Sequence, residues 1–333
     1  MTAPLRPLNL GEILDRSFQI YRSRFFAFVL IAAIPALVMM AVELADGRSI
    51  HMGSGLHSSQ RGEELVWDFL HSVVLYNISA FLSFLILPAF IRVASCAVLQ
   101  ETASVRSALK SLATGWKGFL WIAFLKLSAQ VVIPEILTLG VFVGLAYVDY
   151  ITGAFEGPEP VLAVVLTFGI PTIGGLALFL WSSSWLSLAI PAATLEGTPG
   201  VKALRRSWGL TKESRLRIMM AWLILATVAF GLLVGVLVLF RWAVASLFFQ
   251  GQTLQMAGQP LYRVAVDFLQ AVLSAFIGPI YPIALTLFYY DQRIRLEGYD
   301  IEKMMESAGM IVPATPSIPD APTVSPVVEE AHS

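Results

Sequence analysis

Residues 195–216 read LEGTPGVKALRRSWGLTKESRL, and hydrophobic runs too long for a soluble core flank them on both sides. The stretch and the residue after it hold the densest group of positive charge in the chain: Lys202, Arg205, Arg206, Lys212, Arg215 and Arg217. Thr198 followed by Pro199 reads as an N-cap and a first helical position. A step of 100° per residue puts Val201, Leu204, Ser207, Trp208 and Thr211 on one arc, with Lys202, Arg205, Arg206 and Lys212 on the other. Such a helix lies flat in a membrane interface, with Trp208 at headgroup depth and its cations toward anionic lipid. A soluble helix packed on protein carries the same pattern, but the flanking runs favour the interface.

Working outward, the whole composition agrees. Hydrophobic residues make up 57% of the chain and charged residues 14%, where soluble domains run near 45–50% and about 25%. The expected fold class is an all-α integral membrane protein of about six transmembrane helices, with amphipathic helices along its cytoplasmic face. Spans are expected near residues 24–44, 70–99, 118–148, 160–192, 218–249 and 263–290. No cleavable signal is evident, so the first span is expected to stay as an anchor. Residues 1–303 read as one polytopic membrane domain. Residues 304–333, rich in proline, read as a disordered cytoplasmic tail.

Two further amphipathic helices are expected, at 9–22 and 102–117. Asn9 with Glu12 has the spacing of a capping box. In the second, Val105, Ala108, Leu109, Leu112 and Trp116 share one side. A short helix is expected around Trp67. The sixth span is expected to run on into water through Glu306, supported by the i,i+4 pairs Asp291–Arg295 and Arg293–Glu297.

Lysine and arginine set the orientation. One side receives Arg6, Arg16, Arg22, Arg24, Arg106, Lys110, Lys117, the 202–217 cluster, Arg293, Arg295 and Lys303, and the other only Arg48, Arg61, Arg241 and Arg263. Both termini are therefore expected in the cytoplasm, in a cytoplasmic or inner cell membrane. The chain also repeats itself. Residues 13–22 (ILDRSFQIYR) align without a gap on 203–212 (ALRRSWGLTK), and a weaker copy begins at Ala108. Each copy leads into a pair of spans, which would make a three-fold internal repeat. Convergence on an amphipathic helix before a span gives the same pattern.

Three motifs carry a family resemblance. They are Leu10-Gly11-Glu12-Ile13-Leu14-Asp15-Arg16-Ser17-Phe18, Leu195-Glu196-Gly197 with the 203–212 helix, and Tyr289-Tyr290-Asp291…Arg293-Ile294-Arg295…Glu297-Gly298-Tyr299-Asp300. Together they resemble the bacterial glycerophosphoryl diester phosphodiesterase membrane domain family, over most of residues 8–303. In that family a membrane region precedes a soluble phosphodiesterase barrel. The barrel's His-Arg-Gly…Glu-Asn-Thr pattern does not occur in this sequence. The resemblance therefore implies a membrane fold and not a hydrolase.

Chemistry is sparse. No phosphate-cradling glycine loop, H-E-x-x-H or G-x-S-x-G occurs, so no enzyme, no cofactor and no nucleic-acid partner is expected. Cys96 is the single cysteine, and His51, His57 and His71 fit no standard metal spacing. Three polar residues inside spans are the candidates there: Arg92 and Lys126, which are expected to snorkel to the headgroups, and Glu135 beside Pro134. The span is expected to be interrupted at Pro134-Glu135, placing Glu135 either in a buried ligand site or in an aqueous vestibule. Gly140-xxx-Gly144 and Gly231-xxx-Gly235 have helix-packing spacing. The leading expectation is a non-enzymatic module that scaffolds or regulates a partner protein. Anionic lipid is expected at Lys202, Arg205, Arg206, Trp208, Lys212, Arg16 and Arg22. The alternative is a small-molecule or lipid transporter using Glu135 and its proline-broken helices.

Overall fold

In the computed structural model the described residues are 6–46, 61–101, 104–152, 169–197, 200–248 and 259–310, and among these all regular structure is helical. Six helical stretches are long and apolar enough to cross a membrane: Phe25–Ala45, Phe69–Val98, Trp116–Leu145, Ile170–Leu195, Arg215–Phe248 and Leu261–Glu297. At 1.5 Å per residue each exceeds the ~30 Å hydrocarbon thickness or nearly equals it. The chain is a multi-pass membrane protein.

Short amphipathic helices, Leu10–Ser23, Val105–Thr114 and Val201–Thr211, lead into the first, third and fifth spans. The first opens with the expected capping box: Glu12 N–H donates to Asn9 Oδ1 and Asn9 N–H to Glu12 Oε2, both at 2.8 Å. The second is shorter than expected, because it ends at Thr114 and Trp116 already opens the third span. The third begins at Val201, with Gly200 at φ 70° before it; the expected cap at Thr198 and Pro199 lies outside the described residues.

Proline decides where the spans break. A proline at position i leaves the carbonyl of i−4 without its N–H partner and crowds it. Pro134 has this effect on Gln130, and the helix answers with a single π turn, Ser128–Val132. The expected interruption at Pro134-Glu135 is thus a bulge, and the span runs through it to Leu145. Pro191 frees Ser187, and there the fourth span stops at Leu186 and restarts at Ala189. Pro282 frees Gly278, between segments ending at Ile277 and starting at Ile280. Pro35 and Pro88 sit inside unbroken helices.

Two boundaries differ from expectation. Trp67 belongs to the long helix Arg61–Val98 and not to a separate short one. The sixth span does not run on into water: Gly298, at φ 65°, ends it, and a new helix occupies Tyr299–Ser307. The expected tail therefore starts as helix at 304–307, while residues 311–333 lie outside the described set.

The three helix-plus-two-span units close into a ring. The second span packs on the third, the fourth on the fifth, and the sixth on the first. The amphipathic helices follow the same rule: Val105–Thr114 lies on the second span, Val201–Thr211 on the fourth and Leu10–Ser23 on the sixth. The ends of the second, fourth and sixth spans meet in the middle. Aligned positions share their burial. Ile13 and Ala203, Ser17 and Ser207, and Ile20 and Leu210 are buried, whereas Asp15 and Arg205, Phe18 and Trp208, and Arg22 and Lys212 are not. Each even-numbered span also ends in a left-handed residue, at Gln100 (φ 59°), Gly197 (φ 65°) and Gly298 (φ 65°). Three-fold repetition thus extends from the sequence to the packing.

The glycine pairs Gly140/Gly144 and Gly231/Gly235 do not pack helices in this bundle, since a side chain at any of them would meet open space. Close approach occurs instead at Gly175, where a Cβ would collide with Thr138.

Candidate functional site

The helix Ile280–Glu297 is buried from Pro282 through Gln292 and forms the centre of the basic face, the end that carries the three amphipathic helices. Its Tyr-Tyr-Asp motif reaches a different part of the ring with each residue. Tyr289 donates its hydroxyl to Glu196 Oε1 at 2.6 Å, at the end of the fourth span. The Tyr290 hydroxyl lies 2.7 Å from the Ser95 hydroxyl, at the end of the second. Asp291, 1% exposed, accepts from the Leu8 N–H at 2.8 Å and from Arg295 Nε at 3.0 Å, and pairs with Arg217 at 3.2 Å. Arg217 and Arg295 both donate to the Leu8 carbonyl as well, at 2.8 and 2.9 Å.

Arg206 completes this set. Its Nε donates to both oxygens of Glu196, at 2.9 and 3.0 Å, and its Nη1 pairs with Glu297. Arg293 in turn pairs with Glu297 at 3.1 Å and stacks over Tyr299 at 4.1 Å. The bonds to Glu297 and then Glu196 hold the Arg206 guanidinium above the usual arginine range. Each Leu-Glu-Gly end thus supplies one carboxylate to a single arginine fork.

Residues 142–306 match the family model described as the membrane domain of glycerophosphoryl diester phosphodiesterase. Over that range the chain is similar to this family. The matched range contains the Glu196, Arg206, Tyr289–Asp291 and Glu297 network, while the Leu10–Phe18 motif precedes it. No curated protein and no solved structure matches the chain.

Around this membrane domain the other candidate cations divide. Arg215 lies over the rings of Trp185 and Trp208, at 5.2 and 5.0 Å. Lys202, Arg205, Lys212 and Arg22 are exposed, Arg16 is half-buried, and Trp208 is exposed although it meets Trp185 edge-to-face at 4.1 Å. Beneath Arg205 and Trp208 lies an apolar slot of about 550 Å3, walled by Ile133, Pro134, Leu178 and Trp181. Ser207, on the buried arc of the same helix, donates to the Trp185 carbonyl at 2.6 Å near the break in the fourth span.

The polar residues inside the spans are not brought together. Glu135 accepts from Asn77 Nδ2 at 2.9 Å on the wall of a groove of about 1560 Å3 between the second, third and fourth spans. Arg92 is exposed, as a snorkelling arginine would be. Lys126 does not snorkel. It is 2% exposed, and its Nζ donates to the Leu186 carbonyl at 2.8 Å. That carbonyl lies at the break which Pro191 causes, so the nearest acceptor is inside the protein and not at the headgroups. Sequence reasoning missed Glu43 and Asp267, which line one cavity with Lys126. Both stand in hydrophobic runs, and the intramembrane position of Glu43 was the available signal. Among the described residues no group of three His, Cys, Asp or Glu is placed to hold a metal ion; His51 and His57 lie outside them.

Proposed function

We propose that the chain is a non-enzymatic membrane module that holds anionic lipid at a cytoplasmic basic face and presents that face to a protein partner. The excess of lysine and arginine on this side supports its cytoplasmic orientation, in the cell's inner membrane with both termini inside. The observation that carries the reading is the apolar slot of about 550 Å3 under Arg205 and Trp208. An acyl chain matches the slot, and a headgroup phosphate then meets the guanidinium at its mouth. Lys202 and Lys212 extend the same exposed arc. Arg206 takes no part in lipid contact, because Glu196 and Glu297 engage it. The family match supports the non-enzymatic part of the reading, since the matched model describes a membrane domain.

The test compares phosphatidylglycerol retention, read by native mass spectrometry, between the full chain and a Lys202→Ala, Arg205→Ala, Lys212→Ala variant. These side chains form no ion pair among the described residues, so the variant should fold with an unchanged melting curve. Near a membrane surface each cation is worth about 1 kcal/mol, so retention should fall about tenfold or more. A well-folded variant that keeps its phosphatidylglycerol would end the lipid reading. Co-purification from native membranes tests the partner, and finding no stoichiometric protein would remove that half.

A further inference from the structure

The first, second and sixth spans line a half-open cavity of about 450 Å3, with Lys126 entering from the third. Lys126 is ten residues, or ~15 Å, beyond Trp116, where the third span begins. Its one hydrogen bond among the described residues goes to the Leu186 carbonyl, and its other neighbour of note is the Phe84 ring, 5.3 Å away. No carboxylate among the described residues forms an ion pair with it.

Capping a freed carbonyl needs one donor and no charge. At the preceding carbonyl, that of Trp185, the Ser207 hydroxyl does the same work. Lysine brings two further N–H groups and a positive charge, which is strongly unfavourable in a dry interior unless paired. Among the described residues the ammonium has no further hydrogen-bond partner, and it lines the cavity together with the hydroxyl-bearing Ser83 and Tyr281 and the amide of Gln270. The rest of the wall is largely apolar, including Pro35, Met39, Met40 and Leu87.

We propose that this cavity binds an amphiphile with a single acidic headgroup, its carboxylate on Lys126 and its apolar body along the first and second spans. Glu43 and Asp267 line the cavity toward its other end. They set a second condition, because a ligand with an acidic group at each end would bring like charges together there. The site therefore takes a monoacid and rejects a diacid of equal length. It is separate from the Arg205 slot: the two share no lining residue.

The experiment places the full chain in phosphatidylcholine discs and titrates dodecanoate, read by calorimetry and native mass spectrometry. We expect one dodecanoate per chain, and binding at least about tenfold weaker for dodecanedioate. Lys126→Met should weaken dodecanoate about tenfold or more, the size expected for losing a charge-assisted hydrogen bond. Ala36→Phe plugs the cavity with Lys126 intact and should do the same. A folded form of either variant that binds as the parent does overturns the proposal. If neither variant folds, the parent decides: equal affinity for the diacid, or no uptake of dodecanoate, overturns it. Hexanoate distinguishes the source of the ligand. Binding as tight as dodecanoate would show that the apolar body adds nothing and overturns the amphiphile; weaker but measurable binding points to a water-soluble acid, and binding by dodecanoate alone to a membrane-borne one.

Discussion

The backbone N–H of Leu8 donates to the carboxylate of Asp291 at 2.8 Å across 283 positions of sequence. The contact fastens the segment before the first amphipathic helix to the last span, and Arg217 and Arg295 secure the same carboxylate from two sides. One buried acid therefore holds the first and third units together, where the ring has no covalent connection.

Removing that acid should be severe. Asp291→Ala leaves the Leu8 N–H without its acceptor and Arg217 and Arg295 with the Leu8 carbonyl alone; with both arginines about a third exposed, the loss costs about 2–3 kcal/mol. We expect a large fall in the melting temperature in detergent, with Asp291→Asn intermediate. A melting point for Asp291→Ala within error of the parent would show that the ring closes without this contact.

The three left-handed span ends predict opposite effects for opposite substitutions. Gln100 adopts φ 59° where the other two units have glycine. A non-glycine residue in that region is strained by about 1 kcal/mol. Gln100→Gly should therefore stabilise by up to that amount, and Gly298→Ala should destabilise by a similar one. Chemical denaturation of both variants checks the pair, and a shift of the same sign in both would contradict the argument.

Arg206 serves two carboxylates from one planar fork, which a lysine cannot reproduce. Its partners are only partly buried, so solvent screening keeps the effect small. We expect Arg206→Lys to cost about 1 kcal/mol. In a double-mutant cycle with Glu196→Gln, strictly additive losses would show that the two residues do not act as a unit.

The capping box at the start of Leu10–Ser23 should respond to acid. The Asn9 backbone N–H and then Arg6 hold the Glu12 carboxyl below its usual value. A lowered carboxylate contributes stability above its unfolded pKa and loses it as pH falls through the folded one. Amide protection factors in the first turn, corrected for intrinsic exchange, should accordingly fall below about pH 4.5 and stay flat above it. Glu12→Gln should flatten the profile, and an unchanged acid response in that variant would assign the effect to another group.

The spans were legible because each is a local fact of hydropathy and length, as was the Asn9–Glu12 box, whose two halves stand three residues apart. Breaks were less so: the prolines were visible, but a π turn at Pro134 and a full stop before Pro191 start from the same residue type. Neighbouring helices distinguish them. Gly298 was itself the sign that the helix would end, but Asp291–Arg295 and Arg293–Glu297, which both form, support a helix only as far as Glu297. The partners of Arg206, Asp291 and Lys126 were illegible for one reason. Each lies on another unit or beyond another break, and charge alone does not tell an arginine facing lipid from one held by two glutamates.

The π turn at Ser128–Val132 has a geometric consequence for the third span. One extra residue in a turn sets back the angular phase of everything after it by roughly 100°. Lys126 precedes the turn and faces inward between the first, second and sixth spans; Glu135 follows it and faces Asn77 on the groove side. A regular helix would have fixed the angle between those two side chains by their spacing alone. On a regular helix nine residues would set those two side chains roughly 180° apart, and the inserted residue brings them to roughly 80°, so the inward cavity and the groove that they face lie on neighbouring sides of the same rod.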